Sequence, residues 1–190
     1  KLIPWSNFVP YTIKEDFTND KFLSLHSTQP STIFWTLERL MTLSEGLIRF
    51  GWGRWSTILT KYKEKLNESC DFEMIAICHI FINIFLKSTK NNFPIVFTIY
   101  NQPLPPQAVK FEEKFKKDYS NLSMDSFIKN CDEKLFSIEF MYLINVIVST
   151  CPKPPEDIVV PYIETLNDDD WNEDADRHLI YHIYKNGYMR

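Results

Sequence analysis

The chain has 190 residues, enough for one large domain or two small ones, and 44% of them are hydrophobic and 15% aromatic, which excludes wholesale disorder. No stretch approaches about 18 uncharged apolar residues, so no membrane span is expected, and KLIPWSNFVP lacks the sustained apolar run of a secretory signal. The net charge of −4 argues at first against nucleic acid, but residues 156–176 hold nine acids and no base, and the remainder carries +5.

Residues 1–32, with three prolines and weak periodicity, read as an irregular lead-in wrapped on the domain. A first helix is expected from STIFWTLERLMTLSEGLIRFG, capped by Ser31 or Thr32. Leu37, Leu40, Leu43, Leu47 and Phe50 fall on it at helical spacing, and Gly51 stops it in the left-handed conformation. RWSTILTKYKEK reads as a short second helix with Trp55, Ile58, Leu59 and Tyr62 inward. Asp71 opens a long third helix, DFEMIAICHIFINIFLKST, whose apolar run contains His79 and Asn83 and is expected to be buried. NNFPIVFTIYNQPLPPQ reads as a connector with a short extended piece at Ile95–Ile99. AVKFEEKFKKDYSNL is expected to be an amphipathic helix and MDSFIKNCDEKLFSIEFMYLINVIVST a single longer one, broken by the four prolines of CPKPPEDIVVP. The acidic block then leads into a last helix, NEDADRHLIYHIYKNG. The fold class is all-α.

The first and last helices repeat one design. Trp35 stands sixteen residues before Gly51, and Trp171 sixteen before Gly187. Between them Glu38 matches Asp174, Leu43 matches Leu179 and Leu47 matches Ile183, and an aromatic follows each glycine, Trp52 and Tyr188. The early acid suits the helix dipole. The spacing of Trp35, Trp52 and Trp55 favours a shared core over a platform for stacking bases, with Trp55 packed against Trp35 and Trp52 the most exposed. Trp35, Trp55, Gly51, Trp171 and Gly187 are the expected structural residues.

Trp, Glu, Leu, Gly and Trp at these spacings, followed by two short helices, resemble a Myb/SANT repeat. FGWGRWSTIL is similar to the SANT unit of chromatin-remodelling ATPases of the chromodomain-helicase-DNA-binding family, its Kismet-like branch above all. VKFEEKFKKDYSNL and EFMYLINVIVS resemble the spacer helices of that branch, and DDDWNEDADRHLIYHIYKNGY resembles the start of its second, SLIDE-like repeat. The likeness covers roughly residues 35–188, with 91–105 poorly matched. It implies a trihelical SANT-like unit at 33–90, a connector and spacer helices at 91–155 that act as a rigid ruler, an acidic linker at 156–170 and the first helix of a truncated second repeat at 171–190. The third helix of the first unit is Ile/Phe-rich with Asp71 and Glu73 at its start, so base reading by that unit is not expected.

Candidate phosphate contacts are Arg49, Arg54, Lys61, Lys63 and Lys65, then Lys110, Lys114, Lys116 and Lys117. Cations on an exposed face suffice to position duplex DNA without sequence choice, though an ordinary solvated face would look the same. Asp174, His178 and His182 lie one turn apart and could hold a metal, but surface polarity explains them and no metal is expected. Cys70, Cys78, Cys131 and Cys151 form no C-x-x-C pair and suit a reducing compartment. No glycine-rich phosphate loop and no nucleophile–base pair is evident, so neither cofactor nor catalytic residue is expected. The resemblance implies a non-catalytic, nuclear, monomeric region of an ATP-dependent remodeller that contacts the linker DNA of nucleosomes through phosphates. The alternative is a module that docks histone tails or partner subunits, to which the acidic run would be suited.

Overall fold

The computed structural model describes residues 34–67, 69–160 and 172–188. The expected lead-in, the caps Ser31 and Thr32, Trp171 and most of the acidic linker lie outside them. The described residues form nine helices and no strand: α1 Leu37–Phe50, α2 Trp55–Lys61, α3 Lys63–Leu66, α4 Asp71–Ser88, α5 Pro94–Tyr100, α6 Pro106–Asp118, α7 Asp125–Ile128, α8 Cys131–Ser149 and α9 Glu173–Asn186. The all-α expectation holds.

Within the described residues, α1 starts at Thr36, whose hydroxyl accepts from the Arg39 amide, and buries Leu40, Leu43, Leu47 and Phe50 along one stripe. Leu37, expected on that stripe, stays half exposed on the first turn. The last helix repeats the cap position, the length and the glycine stop of the first. Asn172 caps α9 by accepting from the Ala175 amide, and both helices run fourteen residues to a glycine. Gly51 sits at φ 80°, ψ 174° and Gly187 at φ 81°, ψ 161°. The positive φ is as expected, but ψ lies well outside the left-handed helical range, in a region that side chains effectively bar.

Two long helices organise the rest. α4 is apolar all round and packs against α1, α5, α6, α7 and α8. α8 packs against α1, α4, α5 and α9. One apolar cluster runs from Trp35 to Tyr142, so the core continues without a break across the 90–91 boundary. A smaller cluster around Met141, Ile144, Val148 and Ile158 receives Ile180, Ile183 and Tyr184 from α9.

Two expected elements differ. Ile95–Ile99 is not extended but lies in α5. Pro94 occupies the first turn, where its missing N–H costs nothing. The Glu139 carboxylate accepts from the Ile95 amide, and Val96 and Ile99 are buried one turn apart. The stretch expected as one helix from Met124 is two, α7 and α8, because Asn130 adopts the left-handed conformation at φ 57° between them.

A methyl group at Gly51 would sit 2.8 Å from the Met141 Cβ and 3.2 Å from the Met141 backbone carbon, besides straining the backbone. A methyl group at Gly46 meets only side chains, those of Ile58 and Tyr62, at a backbone conformation that carries no strain. Gly51→Ala is therefore expected to lower stability by about 2–3 kcal/mol and Gly46→Ala by clearly less. Denaturant midpoints of the two variants check this ordering.

Candidate nucleic-acid interface

The nine candidate cations have separate fates. Arg49 and Arg54 are half-buried and face the end of α9. Arg49 donates from Nε to the Asn186 carbonyl at 3.1 Å, and its own carbonyl accepts from the Tyr188 amide at 2.9 Å. Arg54 lies over the Tyr184 ring at 3.9 Å and donates to the Asn145 Oδ1 at 3.1 Å, the Tyr184 carbonyl at 3.4 Å and the Thr57 hydroxyl. Asn145, buried on α8, donates in turn to the Phe50 carbonyl at 3.0 Å. The C-terminal ends of α1 and α9 thus converge on the middle of α8. The two guanidinium groups supply positive charge where both helix dipoles are negative. These arginines bind the protein's own carbonyls, so the expectation that they face phosphate is replaced by an internal role.

The lysines lie outside that joint. Lys61, Lys63 and Lys65 are exposed on α2 and α3, and Lys65 pairs with Glu38 at 3.1 Å. On α6, Lys116 pairs with Glu112. Lys110, Lys114 and Lys117 are exposed at i, i+4 and i+7, one stripe about 10 Å long, with Glu113 at its border. None of the three enters an ion pair among the described residues. α2 and α3 pack on α1, whereas α6 packs on α4, so the two lysine groups sit on different helices of the core.

Trp35, Trp52 and Trp55 are all buried, at most 3% exposed, which leaves no platform for bases. Trp52, expected to be the most exposed, is 2% exposed and packs edge-to-face on Trp55 at 5.0 Å. Trp35 lies in the same core cluster as Trp55, and its backbone amide donates to the Tyr119 hydroxyl at 3.0 Å. Gly51 and Gly187 are buried in the joint. Asp174, His178 and His182 are exposed on α9. His178 Nδ1 donates to the Asp174 carbonyl at 2.9 Å, and His182 lies against the Asn186 amide. Among the described residues no group of three or more His, Cys, Asp or Glu side chains could hold a metal ion.

One polar cluster was not foreseen. His79, on the otherwise apolar α4, places Nδ1 2.8 Å from the Glu112 Oε2 and Nε2 3.1 Å from the Tyr100 carbonyl, with its ring stacked on Tyr100 at 4.5 Å. Burial alone would raise the Glu112 carboxyl. Hydrogen bonds from His79 and Lys116, with their charges, outweigh burial and hold it below the ordinary glutamate value. The ionised carboxylate stabilises the fold above the ordinary glutamate range, about 4.3, and that contribution is lost as pH falls through the lowered folded value. Neighbouring Cys78 is wholly buried, and desolvation pushes its thiol up, which leaves it inert. In the sequence the only sign of this cluster is a histidine inside an apolar run.

Comparison with protein-family models, curated proteins and solved structures finds no match to this chain.

Arg54→Lys keeps the charge but loses the planar stack on Tyr184 and the forked donors. It is expected to cost about 1–2 kcal/mol and to raise amide hydrogen exchange in the last two turns of α9, with α4 unchanged. Exchange in α9 equal to that of the parent chain would remove Arg54 from this role.

Proposed function

We propose that the chain is a non-catalytic region of an ATP-dependent chromatin remodeller, acting in the nucleus, that holds the linker DNA of nucleosomes through phosphate contacts. The observation that carries this reading is the Lys110–Lys114–Lys117 stripe. Its lysines have no acidic partner among the described residues, and neighbours about 6 Å apart on a helix suit a row of phosphates. The likeness of FGWGRWSTIL and of the repeated helix to SANT units supports the same reading. So does the charge distribution, one segment of nine acids without a base and a remainder that carries +5.

The contact needs no base reading. α4, which the SANT likeness would make the recognition helix, spends its surface on the core. Lysines on α6 fix orientation on the duplex without choosing a sequence. Through α8 and the arginine joint, the position of α6 relative to α9 is set by packed helices, which gives the region the rigidity of a spacer. The motor that such a region would serve is proposed to lie elsewhere in the parent protein.

The test is fluorescence anisotropy of a short labelled duplex titrated at several salt concentrations. The parent chain is expected to bind with an affinity that falls steeply with salt. The triple variant K110Q/K114Q/K117Q is expected to reduce the slope by about 3 in log–log terms. Binding to an unmodified histone-tail peptide with none to DNA would instead favour the histone-docking reading.

A further inference from the structure

The two nitrogens of His79 both face oxygen. A neutral imidazole has one N–H and one lone pair, so it can satisfy only one of the two oxygens as a donor. The Tyr100 carbonyl accepts and never donates, and the Glu112 carboxylate, held ionised by Lys116, does the same. The site is nearly closed: the side chains of His79 and Glu112 are 13% and 11% exposed, and water cannot readily take over a lost hydrogen bond. The three partners come from three helices: α4, the C-terminal end of α5 and the middle of α6.

We propose that His79, Glu112 and the Tyr100 carbonyl form a proton-operated clasp, which locks α5 and α6 onto α4 when the imidazole carries both protons and loosens them when one is lost. Loss of the proton from either nitrogen turns a lone pair toward an oxygen within 3.1 Å, which replaces an attraction by a repulsion. The charged and titratable groups around the ring are few. α6 brings Glu112 with Lys116 behind it, and α5 brings Tyr100, whose ring is stacked on the imidazole. On α4 the acids Asp71 and Glu73 lie at the far N-terminal end. α7 meets α4 through Phe127 on Phe81. α8 brings Lys134 over Phe85, beyond the next turn, and α1 contributes the apolar stripe of Leu40, Leu43 and Leu47. The device therefore reduces to one exchangeable proton at the meeting point of three helices. It concerns the seating of α6 and holds whether or not that helix contacts DNA.

Glu112→Gln makes the test specific. A glutamine keeps the shape, accepts from Lys116 with Oε1 and donates from Nε2 to the Nδ1 lone pair of a neutral imidazole, whose Nε2–H still reaches the Tyr100 carbonyl. The second proton is then unnecessary. Thermal midpoints of the full chain are compared at about pH 5.5 and about pH 8, either side of the ordinary histidine range. The parent chain is expected to lose about 3 °C more than E112Q between the two pH values, and His79→Phe, which keeps the stack without N–H groups, to share the flatter profile of E112Q. The same pH dependence in all three chains would overturn the proposal. If E112Q does not fold, the imidazole ¹⁵N shifts of His79 in the parent chain decide. Two protonated nitrogens at acid pH that convert together with faster amide exchange at the end of α5 support the clasp, and conversion without that change overturns it.

Discussion

A buried helix end leaves carbonyls and amides that water cannot reach, and unpaired groups of this kind each cost about 1–3 kcal/mol. This chain meets that constraint in part with the polar side chains of one helix. Asp132 of α8 accepts from the side chains of Thr89 and Asn91, which anchors the chain just beyond the end of α4. Lys134 donates to the Phe127 carbonyl of α7, Glu139 accepts from the Ile95 amide in the first turn of α5, and Asn145 caps the last carbonyl of α1. α8 is thus an apolar spine on which four other helices start or stop. Its packed side chains join α4 in the core, and its few polar ones bear on where neighbouring helices meet it.

The same helix explains why one local design appears twice and folds into two environments. α1 and α9 share cap, length and glycine stop, and both end against the middle of the molecule. The face that α1 buries has diverged in α9. Leu43 is wholly buried, whereas its counterpart Leu179 is 44% exposed. Gly46, which lets Ile58 approach α1 closely, is matched by His182, and Phe50 by Asn186. α9 therefore cannot receive a second helix in the way α1 receives α2. It packs on α8 instead, through Ile180, Ile183 and Tyr184, and the arginines of the Gly-Trp turn complete its end.

Much of the fold was legible because its signals are local. Apolar spacing, the glycines at 51 and 187 and the acids opening α4 and α9 each mark a helix within a few residues. The misreadings have local causes as well. Pro94 carries the same punctuation whether it breaks a chain or opens a helix, and Asn130 looks unremarkable until its φ is known. The candidate interface was legible only as charge. That Arg54 would spend its guanidinium on Asn145 and Tyr184, 91 and 130 residues away, is tertiary information that no window of sequence holds. His79 and Asn145 share this feature: a polar side chain inside an apolar run signals a partner without saying which.

The account depends on α9 being an integral part of the body, closed onto α1 through Gly187 and the two arginines. Native-state hydrogen exchange of the Tyr188 amide, which donates to the Arg49 carbonyl, tests this most directly. If the joint is as described, the Tyr188 amide opens together with that of Gly51, at the same free energy and with the same denaturant dependence. Exchange of Tyr188 and the last turn of α9 by local fraying, while Gly51 stays protected, would make α9 an appendage and contradict the account.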